Sequence, residues 1–348
     1  MSENSEFNSY QSLFSVSTKH KAVWTRKELT FGKVTRCLEI CPSGRYIATG
    51  GDDGQLGIVR CSKDGPFEIS HQIARHNEKV TDIAFNPTSD LVASCSNDKT
   101  LVISAFSDND GSLDSRQMRI SSNEPIRCVA FMEDIANHSN ILLSGSGKEI
   151  CITDCSSSTT FRRKLAHNGV VTAICTWGGC LYATTSSDKT VRLWDVRVAD
   201  AVTIFDPLPK PSPLSSTSFH IDSCGRILLR GDGNGYIHAF DCRSSKKLSS
   251  RHVFNIPVQC IRISHKSRFA IAASGDSLCV CDYRDPCSVS RSVPISALSA
   301  KPFRIRWQTN DETFMTIDST KQLIEWNLRI EMNKTSEDAV PSEQSSKV

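Results

Sequence analysis

Apolar and polar residues alternate along this chain in short bursts, each closed by a cluster of turn-forming residues. The clearest set lies in residues 165–197, LAHNGVVTAICTWGGCLYATTSSDKTVRLWDVR. Val171, Ala173 and Cys175 alternate with polar neighbours, Gly178-Gly179 reverses the chain, and Leu181 and Ala183 carry a second burst. Ser187-Asp188-Lys189 makes the next turn before a third burst from Val191 to Asp195. A two-residue period interrupted by tight turns predicts an antiparallel meander.

The same pattern returns along the chain. Residues 34–60 carry it with Asp53 in the second turn, and residues 76–104 repeat it with Asp98 at that place. Asp53, Asp98 and Asp188 stand one and then two repeat lengths apart, at about 45 residues per repeat. The intervening repeat holds the bursts 126–131, 141–144 and 150–153 around an inserted loop, 133–140, and has no aspartate in its turn. Three further repeats follow near 216–241, 258–282 and 303–326, with Asn234 at the aspartate position of the fifth and Trp326 ending the seventh. Seven four-stranded units predict a single closed all-β ring, a seven-bladed β-propeller over residues 21–330. A strand at Lys21-Ala22-Val23-Trp24-Thr25 is expected to complete the last blade and so remove an exposed edge. Residues 1–20 and 331–348 are polar and expected to be flexible, as is the proline-rich loop from Pro207 to Pro213.

The spacing within residues 165–197 resembles one WD40 repeat. In that family a histidine, a serine or threonine, an aspartate and a tryptophan hydrogen-bond in a chain. The resemblance assigns these places to His167, Thr184, Asp188 and Trp194, and to His76, Ser94 and Asp98 in the second repeat, where Ser104 stands for the tryptophan. Each donor then meets an acceptor away from water. Such a tetrad is structural. A hydrolase reading lacks an oxyanion-hole loop and would place its hydroxyl inside a sheet.

Composition narrows the picture further. With 348 residues, 39% of them apolar and 23% charged, the chain can bury a sizeable core. A net charge of +3 without a long basic run gives no reason to expect nucleic acid. The 15 cysteines lie scattered along strand-like bursts, as small buried hydrophobes do. Neither a zinc site nor any cofactor is expected from their spacing. The amino terminus has no apolar segment of signal type and no run is long enough to span a bilayer, so a cytoplasmic protein without membrane contact is expected. Glycine-rich runs at 51–57 and 231–235 read as hairpin turns rather than nucleotide loops, since neither opens a helix.

Candidate chemistry therefore lies in surfaces. In this repeat geometry Thr35, Thr81, Arg127, Thr172, Ser215 or Ser216, Gln259 and Arg304 are expected around the top of the central channel, with Asp52, Asn97 and Ser187 on the same face. Arg127 and Arg304 would suit carboxylates of a partner. Trp194-Asp195-Val196-Arg197 resembles the WDxR signature of substrate receptors of cullin–RING ubiquitin ligases, which makes Asp195 and Arg197 adaptor contacts in an alternative reading. Several runs, among them Phe131-Met132-Glu133, Thr153-Asp154-Cys155, Thr176-Trp177 and Arg306-Trp307, resemble microtubule-associated WD-repeat proteins. That resemblance implies a non-catalytic scaffold whose partners are tubulin or microtubule-associated proteins. Those relatives carry an N-terminal helical LisH–CTLH region for dimerisation; this chain begins almost at the propeller, so that property is not carried over.

Overall fold

The computed structural model describes residues 22–23, 26–62, 65–133, 140–206, 218–266, 269–275, 277–283, 302–310, 312–327 and 329–330. Two short elements come first, β1 (Ala22–Val23) and β2 (Arg26–Thr30). Blade one is β3 (Thr35–Ile40), β4 (Tyr46–Gly51), β5 (Gln55–Arg60) and β6 (Glu68–Ala74). Blade two is β7 (Val80–Phe85), β8 (Leu91–Ser96), β9 (Thr100–Phe106) and β10 (Leu113–Ser121). Blade three is β11 (Ile126–Phe131), β12 (Ile141–Ser146), β13 (Glu149–Asp154) and β14 (Thr159–Leu165). Blade four is β15 (Val171–Thr176), β16 (Leu181–Ser186), β17 (Val191–Asp195) and β18 (Thr203–Phe205). Blade five is β19 (Ser218–Ile221), β20 (Ile227–Gly231), β21 (Tyr236–Asp241) and β22 (Lys247–His252). Blade six shows β23 (Cys260–Ile263), β24 (Phe269–Ser274) and β25 (Ser277–Asp282). Blade seven is β26 (Pro302–Trp307), β27 (Thr313–Asp318) and β28 (Gln322–Asn327), followed by β29 (Arg329–Ile330).

Every blade is an antiparallel meander, and the first strands of neighbouring blades contact one another around a ring. The fold is the expected seven-bladed β-propeller. Its closure differs in detail from the expectation. The strand that completes blade seven is β2, running Arg26↔Trp326 to Thr30↔Gln322 along β28. Ala22 and Val23 instead pair with Ile330 and Arg329, outside any blade. Lys21, Trp24 and Thr25 lie outside the described residues, as do Ser215, Ser216, the proline loop and both terminal segments.

Burial explains the sequence pattern. Second strands are covered on both faces by adjacent blades, so β4 is buried throughout and reads as a nearly continuous run. Outer strands such as β10 and β14 are mostly exposed and polar. The core is divided among the blade boundaries. One apolar cluster joins blades three and four through Ile150, Val171, Tyr182 and Trp194, and another joins six and seven through Ile271, Trp307, Phe314 and Trp326.

The innermost strands have a free backbone edge, and the blades on either side supply its partners. Thr81 Oγ1 donates to Ile126 O at 2.6 Å and Thr176 Oγ1 to Phe131 O at 3.0 Å. Ser218 Oγ accepts from Ile261 N at 2.6 Å, Asp82 from Val129 N at 3.3 Å, and Trp307 Nε1 donates to Arg262 O at 3.1 Å. Polar residues on these strands thus staple blade to blade.

Candidate interaction surface

In blade four the hydrogen-bond chain is complete. Trp194 Nε1 donates to Thr184 Oγ1 at 2.8 Å, and Thr184 Oγ1 lies 2.8 Å from His167 Nε2. Asp188 Oδ2 only accepts and lies 3.0 Å from His167 Nδ1, which fixes the imidazole proton there, so Nε2 accepts the Thr184 hydroxyl proton. Burial lowers the His167 pKa against the pull of Asp188, so the ring is neutral. Burial works against the Asp188 carboxylate too, but hydrogen bonds from Thr190 and His167 outweigh it and hold its pKa at about 2. Blade two repeats the arrangement, with His76 Nε2 2.9 Å from Ser94 Oγ and Nδ1 3.3 Å from Asp98 Oδ2.

Other blades reach the same end with different residues. In blade seven Trp326 Nε1 donates to Thr316 Oγ1 at 2.9 Å, a pair that the tryptophan spacing alone could have revealed. In blade five the position of Thr184 is taken by Arg230, fully buried and donating to Lys189 O at 2.6 Å and Asp206 O at 3.1 Å. Its turn is capped by Asp232, which meets His238 Nε2 at 3.2 Å, while His238 Nδ1 meets Ser250 Oγ at 2.8 Å. This chain ties three strands together and replaces the tetrad. Asn234, expected at the aspartate place, uses only its backbone in that cap.

Each first strand begins, and each second-to-third turn lies, at one end of the blade, so one face collects both; it is called the top here. Five first strands carry a register shift at their start, between Thr35/Cys37, Val80/Asp82, Ile126/Cys128, Val171/Ala173 and Pro302/Arg304. The skipped residues, Arg36, Thr81, Arg127, Thr172 and Phe303, form the upper rim of the channel. Gln259 precedes β23 at the matching place, bonded through its N to Ala273 O.

Two expected rim residues are therefore corrected. Thr35 stands one residue early and is buried, and Arg304 stands one residue late and points into the channel, where its Nη2 lies 3.5 Å from Asp82 Oδ1. The reason is the start of the strand: the buried place filled by Val80, Ile126 and Val171 is held by Thr35 in blade one and by Pro302 in blade seven, so the first apolar residue no longer marks the position before the bulge. Arg36, which the sequence reading missed, occupies the rim and pairs with Asp52 through both Nε and Nη2 while its guanidinium lies 4.9 Å over the Phe303 ring. Arg127 is exposed. Thr172 Oγ1 donates to Thr185 O at 3.2 Å, and Ser187 Oγ accepts from Val170 N at 2.8 Å. Asn97 keeps a buried side-chain oxygen without a partner among the described residues.

Asp195 and Arg197 lie at the opposite end, because β17 starts at the turn holding Asp188 and runs away from it. Arg197 folds back on Asp195 with Nη2–Oδ2 at 2.6 Å and Nε–Oδ1 at 3.0 Å, its side chain still 71% exposed.

Comparison with known families matches the family described as WD domain, G-beta repeat, at residues 27–58, 67–103 and 157–195. Each match begins on or just before the fourth strand of one blade and ends on the third strand of the next. The three matches thus fall on blades one, two and four. Among curated relatives, coronin-7 of Bos taurus is 28% identical over 184 residues, 51% of this chain and 19% of that protein. The WD repeat-containing protein 55 homolog of Drosophila erecta is 25% identical over 60% of the chain and 39% of its own length. A guanine nucleotide-binding protein subunit beta of Nicotiana tabacum is 25% identical over 68% of the chain and 64% of its own length. The chain matches less than two thirds of each of these proteins.

Proposed function

We propose that this chain is a non-catalytic, cytoplasmic interaction scaffold that associates with microtubules or with a protein bound to them, through the top face of the propeller. The observation behind this reading is the charge of that face. Lys33, Lys79, Lys99, Arg127 and Lys148 are exposed on its loops and turns. Lys99, Lys189 and Lys321 hold left-handed backbone at φ 66°, 67° and 70°. The equivalent positions of blades one and five hold Gly54 and Gly235, at φ 76° and 80°, where an added Cβ would meet His76 O at 2.2 Å and Phe254 O at 1.8 Å. Three turns thus present lysine in a backbone conformation that glycine adopts at lower cost. Asp52, Glu78 and Glu124 are exposed beside them and Lys33 pairs with Asp53 at 3.3 Å, so the cations that remain, Lys79, Lys99, Arg127 and Lys148, are the positions offered to an acidic partner such as the surface of a microtubule. Similarity of the runs at 131–133, 153–155 and 306–307 to the C-terminal propeller of nemitin, a microtubule-associated WD-repeat protein, supports the same choice.

Co-sedimentation of the purified chain with microtubules tests it. Pelleting is expected at low salt and should weaken at physiological salt, and the combined variant Lys99→Glu, Arg127→Glu, Lys189→Glu should stay in the supernatant. Pelleting that ignores salt and these reversals would overturn the top-face assignment. Absence of pelleting at both salts would leave only an indirect cytoskeletal role. The second reading, a substrate receptor of a cullin–RING ligase, rests on the exposed Arg197 on the bottom face. It requires that Arg197→Ala, with its fold intact, lose capture of the ligase adaptor.

A further inference from the structure

The innermost strands place one residue of every blade in a common layer of the channel, identified by register with the second strands: Glu39 opposite Ala48, Ala84 opposite Ala93, Ala130 opposite Leu143, Cys175 opposite Ala183, His220 opposite Leu229, Arg262 opposite Ile271 and Arg306 opposite Met315. Charge is uneven around this layer. Arg306 Nε donates to Glu39 Oε2 at 2.7 Å across the boundary between blades seven and one, and its Nη1 donates to Ile305 O at 3.1 Å. One layer higher, Arg304 is answered by Asp82. Arg262 has no such answer. Its Nη1 donates to Ile261 O at 2.8 Å, and among the described residues no carboxylate lies within ion-pair distance of it. After burial, the largest influence on its pKa is Arg306, which lowers it; Cys260 acts the other way, and Arg304 lowers it again.

His220 is its neighbour in the layer. Its Nδ1 accepts from Ile263 N at 3.3 Å, so a neutral ring carries its proton on Nε2 as a donor. Burial above all, then Arg262, His265 and Arg306, keeps that ring neutral. Blades two, three and four contribute only the small side chains Ala84, Ala130 and Cys175 to the layer. The next carboxylate toward the bottom, Glu133, is engaged by Thr176 Oγ1 at 3.3 Å. A half-buried guanidinium without a counter-charge is less well solvated than one in open water, and an anion in the channel relieves that cost.

We propose that this layer binds a small free oxyanion of the phosphate class, gripped by the Arg262 fork, with His220 Nε2–H and Arg306 Nη2 as further donors. The site is independent of the top-face reading. Arg127, Lys99 and Lys189 take no part in it.

The full chain is titrated with inorganic phosphate in chloride buffer at constant ionic strength, by calorimetry and by thermal unfolding. Saturable binding and a rise in Tm over the chloride control are expected. Arg262→Gln should bind at least about tenfold more weakly, the loss of charge-assisted hydrogen bonds, while Arg127→Gln binds as the parent does. Absence of saturable binding, or affinity that survives Arg262→Gln, overturns the proposal. If Arg262→Gln does not fold, Arg262→Lys, which keeps the charge but not the fork, should still weaken phosphate several-fold, and unchanged affinity there is equally fatal. O-phosphoserine is the second probe: weaker binding than inorganic phosphate agrees with a free ion, and tighter binding overturns that assignment.

Discussion

Thr184 serves two partners with one oxygen, accepting from Trp194 and donating to His167 in a region closed to water. Its replacement by valine keeps the shape and removes both bonds, leaving two buried polar atoms unpaired. The expected cost is about 2–4 kcal/mol in urea unfolding. Thr316 in blade seven is bonded to Trp326 through the same atom, 2.9 Å away. Thr316→Val removes that one bond and should cost less, about 1–3 kcal/mol. Equal losses would show that the histidine bond adds nothing to the chain. The residues of blade four were readable because the tetrad is local: His167 and Trp194 frame one repeat. Arg230 was not readable, since nothing near it in sequence announces that its acceptors, Lys189 O and Asp206 O, belong to the preceding blade.

At the scale of the element, the turns and bursts located most strands, while strand beginnings escaped. The residue before the bulge is apolar in blades two, three and four but is Thr35 in blade one and Pro302 in blade seven, so Arg36 and Phe303 take the rim and Thr35 and Arg304 lie elsewhere. Alternation is legible in a regular strand, yet it does not say where one extra residue has been inserted. The closing strand taught the same lesson. Arg26–Thr30, RKELT, has no strong alternation and becomes a strand because β28 offers it an edge. A chain truncated to begin at residue 31 should therefore lose its monomer peak in size-exclusion chromatography and unfold at lower temperature, and a peptide of residues 22–32 supplied in trans should restore part of both. A truncated chain that stays monomeric with an unchanged Tm would mean that β2 does not hold the ring closed.

Protonation acts on the whole ring. His76, His167, His220 and His238 all have pKa values lowered, foremost by burial. An unfolded chain binds protons below about pH 6.5 that these rings refuse, so their stabilising contribution is present above that pH and falls away on acidification. Asp188, held at about 2, adds a second loss as pH falls below about 4. Urea midpoints measured at pH 7.5, 6.0 and 5.0 should decline in that order, and a midpoint that rises on acidification would refute the neutral assignment of these imidazoles.

From its sequence alone this chain determined what neighbours along a strand decide. The two-residue period, the turn residues and the recurring aspartates specified meanders and their number, and the resemblance to WD40 repeats supplied the tetrad chemistry of blades two and four. Only the tertiary structure decided what the ring brings together. Arg304 meets Asp82 across 222 positions and Arg306 meets Glu39 across 267, leaving Arg262 as the layer's unanswered charge among the described residues. Periodicity is a local property of the chain, whereas the channel is made by closing it, so the pairing of charges there depends on the order of blades around a circle that no segment of the sequence contains.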